Sequence, residues 1–147
     1  MTQNWHWRFL ESFEKRFLNQ PLLKEKYELR NSNRERLYLP YKSGMIRNEI
    51  LSNPDIVFVN KKNGNFDYIF EVEYQVNHKK IVGIALLTDI AIRQMKVEGK
   101  SKLILITKEE FPNSELVERE IQRYVKNIEF SLYSSDNFAS TFDSLIK

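Results

Sequence analysis

The segment that most limits what this chain can fold into runs from Asn53 to Gln75, where two β-rich runs flank Lys62-Asn63-Gly64. Valine, isoleucine, phenylalanine and tyrosine fill both runs, and Asn-Gly between such runs signals a hairpin. Acidic residues interrupt the pattern: Asp55 opens the first run, and Glu71 and Glu73 stand two apart in the second. Successive strand side chains alternate between faces, so Glu71 and Glu73 point the same way.

Register decides whether Asp55 joins them. A two-residue turn at Asn63-Gly64 sets Ile56 opposite Glu71 and leaves Asp55 among apolar neighbours. A three-residue loop, Lys62-Asn63-Gly64 with Gly64 in the left-handed bulge position, pairs Asp55 with Glu71 and Ile56 with Phe70. One face then carries Ile56, Phe58, Tyr68, Phe70, Val72 and Tyr74. The other carries Asp55, Val57, Val59, Asp67, Ile69, Glu71 and Glu73. Apolar and acidic sets separate only in this register, which is therefore the expected one.

Three carboxylates at one end of a hairpin repel each other, increasingly so as water is excluded. A cation is expected among them. Hard oxygen donors suit Mg2+ or Mn2+, which are commonly held by one or two carboxylates together with substrate phosphates.

Pro54-Asp55, a gap covering residues 56 to 70, then Glu71-x-Glu73 resembles the signature of the restriction-endonuclease-like PD-(D/E)xK nucleases. The sequence departs from the commonest form at Glu73, where that family usually has lysine; a minority of members, including some type II restriction enzymes, carry an acid there. The resemblance covers about a third of the chain. It implies that Asp55 and Glu71, with the backbone carbonyl of Val72, hold Mg2+ or Mn2+, and that Glu73 orients or deprotonates the attacking water. It implies DNA as the substrate, with RNA as the alternative, and a glutamate added from the first helix, for which Glu11 and Glu14 are the candidates. Lys79 or Lys80 can supply the cation missing at position 73, and Gln75 continues the same strand face toward substrate. Arg34, Arg36 and Lys42 before the hairpin, with Lys79 and Lys80 after it, bring positive charge to an acidic cluster that would otherwise repel phosphates. Two further readings fit the same fold: a nucleic-acid-binding or protein-interaction module that cuts nothing, and a small dimeric enzyme like the Holliday-junction resolvases. A homodimer or a partner subunit supplying recognition is consistent with the short chain.

The remaining periodicities fill in an α/β fold. Trp5, Phe9, Phe13 and Phe17 recur every four residues, which predicts an amphipathic helix over 4–18. Residues 21–34 read as a short second helix through Leu29 and a loop at Asn31-Ser32-Asn33. Leu37, Leu39 and Tyr41 alternate around Pro40 as an edge strand, Lys42-Ser43-Gly44 turns the chain, and Glu49 is a possible outer ligand. Ile81, Ile84, Ala85, Thr88, Ala91, Ile92 and Met95 mark a helical face; Leu86, Leu87 and Ile90 make that helix apolar nearly all round, so it is expected to be covered on two sides. Leu103 to Ile106 is an unbroken apolar run, the mark of a strand covered on both faces. A helix introduced by Pro112 and Asn113, with Val117, Ile121, Tyr124, Val125 and Ile128 on its period, a strand over Ile128, Phe130 and Leu132, and a closing helix capped by Asp136 complete the order α-β-β-β-α-β-α-β-α. That order is a mixed central β-sheet flanked by helices, and it is similar to the αβββαβ core of the restriction-endonuclease-like fold with C-terminal additions.

At 147 residues the chain is expected to form one domain, 1–147, with a core of its own. It has no cysteine and two histidines, which argues against a structural zinc site. No apolar stretch has membrane-spanning length and Met1 to Arg8 lacks a signal-peptide pattern, so no membrane partner and a cytoplasmic location are expected. The net charge of +3 permits nucleic acid without requiring it. There is no phosphate-binding glycine loop and no nucleophile elbow among the four glycines.

Overall fold

The N-terminal aromatic stripe forms helix α1 (Thr2–Leu18) in the computed structural model, which describes residues 2–32, 39–41, 49–52, 54–95 and 99–146. A short helix α2 (Pro21–Lys26) follows, opened by a proline whose fixed φ suits a first turn. The predicted continuation of that helix to Leu29 does not form. Tyr27–Asn31 is instead strand β1, with Tyr27 and Asn31 buried. Its pairing with a strand some thirty residues on decides the matter, a long-range contact that outweighs local propensity.

Strands β2 (Leu39–Tyr41) and β3 (Glu49–Ser52) pair antiparallel as a separate two-stranded sheet. The edge strand expected around Pro40 is thus found, but with a partner that the sequence did not mark. Leu37 and the Lys42-Ser43-Gly44 turn lie outside the described residues. Then come β4 (Ile56–Asn60), β5 (Phe66–Glu73), helix α3 (His78–Met95), β6 (Ser101–Thr107), helix α4 (Ser114–Gln122), β7 (Ile128–Ser134), helix α5 (Ser135–Thr141) and a closing 3-10 turn (Phe142–Ile146). The fold is α/β: a five-stranded mixed sheet in the order β1-β4-β5-β6-β7, with helices on its faces. β1, β4 and β5 run antiparallel to their neighbours in turn, while β5, β6 and β7 are parallel. The last helix is capped by the Ser134 hydroxyl, which accepts from Asn137 N–H at 3.2 Å; Asp136, the expected cap, lies within the first turn. Asn113, at φ 56°, takes the left-handed conformation before α4, a region that asparagine tolerates better than most residues.

Each face of the sheet buries its own apolar set. On one, Leu10, Phe13 and Phe17 of α1 meet Ile56, Phe58, Tyr68, Phe70 and Val72, closed by Phe138 and Phe142. Phe13 is the hub: it lies 4.8 Å from Phe70 edge-on and 5.6 Å from Phe138 in a stack. Offset and edge-to-face contacts of this kind are what the ring quadrupoles favour. On the other face Ile81, Ala85, Ala91 and Ile92 of α3 pack on Ile69, Leu103 and Leu105, joined by Ile121, Val125, Ile128, Phe130 and Leu132. The small β2–β3 sheet also contacts α3, covering part of the helix's second side. Val82, Leu86 and Leu87 of α3 remain about 40 % exposed.

The hairpin reaches the expected pairing by another route. Ile56 pairs with Phe70 and Phe58 with Tyr68, as the face argument requires. Yet Asn60 N–H bonds Asn65 O at 2.8 Å and Val59 pairs with Phe66, so the loop is Lys61 to Gly64 and the register shifts within β5 before Tyr68. A four-residue loop and a bulge add up to the same register as the expected three-residue loop. Gly64 is left-handed at φ 75°, as expected, and donates to Asn60 O. The bulge redirects Asp67, whose carboxylate accepts from Asn60 Nδ2 and bonds the Tyr27 hydroxyl rather than standing with Val57 and Val59. Burial, reinforced by that carboxylate and Tyr68, pushes the Tyr27 hydroxyl well above its ordinary pKa.

Candidate active site

Asp55 sits immediately before β4 and is held on both sides. Its carbonyl accepts from Ser32 N–H at 2.9 Å, just beyond β1, and its N–H donates to Phe70 O at 3.2 Å. Its side chain continues the ladder where the backbone stops: Oδ2 accepts from Val72 N–H at 2.7 Å. Asp55 therefore bonds the residues on either side of Glu71. Glu71 itself is buried, 8 % exposed, in register with Leu105 of β6. Glu73, the last residue of β5, is in register with Thr107.

Two basic side chains meet these acids. Nε2–H of His6, on the second turn of α1, donates to Asp55 Oδ1 at 3.1 Å. That bond raises the His6 pKa; partial burial works against the rise, while the charges of Asp55 and Glu73 and a backbone bond to Val72 add to it. The Lys80 ammonium, from the first turn of α3, lies 3.1 Å from Glu73 Oε2. The basic partners of this acidic end within the chain are thus His6 and Lys80. Nothing in the sequence motifs marks His6, which stands between two tryptophans. The available clue was its position on α1, eleven residues ahead of the buried Phe17 and so at the free end of the aromatic stripe that presses on β4 and β5.

The other expected residues divide. Glu14 accepts from Asn31 Nδ2 at 3.2 Å and Glu11 is exposed, so His6 is the described α1 side chain that reaches Asp55. Gln75 and Lys79 are exposed near the acids in sequence. Arg34, Arg36 and Lys42 lie outside the described residues, and Glu49 belongs to β3. Among the described residues no three side chains of histidine, aspartate or glutamate stand close enough together to hold a metal ion as placed. Both Asp55 oxygens have protein partners and Glu73 is drawn to Lys80, so two of the three acids expected around one ion are each paired with a basic side chain, while Glu71 is buried.

The acids lie at the carboxyl ends of the parallel strands, where crevices of open α/β sheets bind ligands. A cleft of about 310 Å³ opens at that end between the segments after β5 and β6, lined by Tyr74, Gln75, Lys108, Glu110 and Phe111 among others. No protein-family model, curated protein or solved structure matches this chain.

Proposed function

We propose that the chain is a divalent-metal-dependent nuclease that hydrolyses phosphodiester bonds in DNA, built on a restriction-endonuclease-like core. The observation that carries this reading is the anchoring of Asp55 to both neighbours of Glu71, which puts the Pro-Asp and Glu-x-Glu elements at one end of one hairpin. The donor chemistry fits Mg2+ or Mn2+: two carboxylates, Asp55 and Glu71, and the Val72 carbonyl, all hard oxygen ligands. A bound ion of this type polarises the scissile phosphate and lowers the pKa of water. Glu73 would orient or deprotonate the attacking water from the strand end. Lys80, 3.1 Å from Glu73, supplies from α3 the positive charge that the family usually places on the strand as lysine. His6 donates to Asp55 Oδ1, so this hydrogen bond engages an oxygen that would otherwise be open to the ion.

The test is incubation of supercoiled, branched and single-stranded DNA with Mg2+, Mn2+ or chelator. Cleavage that requires metal and falls on the order of a hundredfold in Glu71→Gln and Asp55→Asn is expected. Equal rates for the wild type and Glu71→Gln would remove the catalytic assignment. A second reading, a nucleic-acid-binding module of the same fold that cuts nothing, is favoured by one feature: Asp55 and Glu73 are already paired within the protein. Tight DNA binding with no metal-dependent cleavage would establish it.

A further inference from the structure

We propose that the cleft at the carboxyl ends of β5 and β6 is a subsite for the base of an unpaired nucleotide, so that the substrate is single-stranded or locally unpaired nucleic acid. The proposal rests on the nuclease reading and sharpens its substrate. The volume, about 310 Å³, is at the lower end of those that hold small ligands. Two aromatic rings line it and both are braced from elsewhere. The Tyr74 ring meets Trp5 edge-on at 5.8 Å and carries the Lys108 ammonium 4.8 Å from its centroid. The Phe111 ring meets His78 at 5.0 Å, also edge-on. Rings held in place lose little freedom when a base stacks on them.

The lining offers partners to both parts of a nucleotide: the carboxylates of Glu109 and Glu110 accept hydrogen bonds from an exocyclic amino group such as cytosine N4, and the Lys108 ammonium brings positive charge for the phosphate. The cleft adjoins the strand end that carries the acid: Tyr74 directly follows Glu73, the last residue of β5, and Thr107, the register partner of Glu73, is part of the cleft lining, so a nucleotide seated there lies beside that end of the sheet. A base stacked inside a duplex cannot enter without leaving the stack.

The experiment is done in chelator, so that binding is read without cleavage. Fluorescence anisotropy compares labelled dC and dT strands of about 12 nucleotides, an abasic strand of the same length and a blunt duplex. The dC strand is expected to bind roughly tenfold or more tightly than the abasic strand and the duplex. Phe111→Ala should erase most of that margin. Glu110→Gln, an exposed change that leaves the thermal midpoint in place, should narrow the preference for dC over dT. Abasic and dC strands binding alike, or a duplex binding at least as well with Phe111→Ala unchanged, would overturn the subsite; metal-dependent cutting of the duplex would then leave the nuclease reading standing. If no probe binds and no DNA is cut with metal, that reading fails and the subsite with it.

Discussion

The two faces of the central sheet are fastened to their helices in different ways. The face under α1 is built from rings: Phe13, Phe17, Tyr27, Phe58, Tyr68, Phe70, Phe138 and Phe142 touch one another in stacked, tilted and edge-on pairs. The face under α3 and α4 is mainly aliphatic, Phe130 apart, and is tied by side chains that bond to backbone. Asp89 of α3 accepts from Asn127 N–H at 2.7 Å and from Asn127 Nδ2 at 3.3 Å. Glu118 and Gln122, one turn apart on α4, accept from Leu132 and Phe130 N–H of β7 at 2.6 and 2.8 Å. Gln122 also donates to Ile128 O. β7 is an edge strand, and these bonds occupy two of its outward N–H groups, which would otherwise be open to another strand. Interlocking rings set orientation by shape alone, whereas branched aliphatic side chains tolerate sliding; the polar ties fix what the aliphatic layer leaves free.

If that contrast is right, the largest single loss comes from the ring face. Phe70→Ala, at a fully buried ring touching Phe13, Phe58 and Phe138, should cost about 3–5 kcal/mol in urea unfolding. A cost near that of a surface change would mean the rings do not define this layer. Next, Asp89→Ala leaves the Asn127 N–H unpaired in a part-buried site and should cost about 1–3 kcal/mol by the same measurement. A smaller change of opposite sign is expected one residue away. Thr88 is wholly buried on α3 and its hydroxyl has no partner among the described residues, so Thr88→Val should raise stability by about 1 kcal/mol; a loss would show that the hydroxyl is satisfied in solution.

The finest test of the polar ties is their pH dependence. Burial raises the Glu118 pKa above its ordinary value, against the opposing effect of the Leu132 hydrogen bond. A carboxyl whose folded pKa is raised favours the folded state when protonated. Its contribution is therefore complete below the unfolded pKa of about 4.3 and is lost as pH rises through the higher folded value. Thermal midpoints measured across that window should show this component in the wild type and not in Glu118→Gln, which keeps an oxygen for Leu132 N–H. Identical pH profiles would place Glu118 in solvent rather than on the strand edge.

Much of the candidate site was legible because it depends on short-range rules. The alternation of apolar and acidic residues over 55–73 determined the pairing of Ile56 with Phe70, and the unbroken run at Leu103 to Ile106 determined a strand covered on both faces. Helices α1 and α3 followed from their apolar period. The loop was not determined by its Asn-Gly pair, since a longer loop compensated by a bulge reaches the same register and keeps the same residues buried. Strand β1 was hidden because Tyr-Glu-Leu-Arg-Asn alternates as well as it continues a helix, and β4 settles the choice from a distance. The partners of the acids were beyond sequence for the same reason. His6 meets Asp55 across 49 residues because α1 lies on the ring face and ends its stripe at the start of β4. Lys80 meets Glu73 because α3 begins where β5 stops. Periodicity states which face a side chain takes; only packing between separate elements states what it meets there.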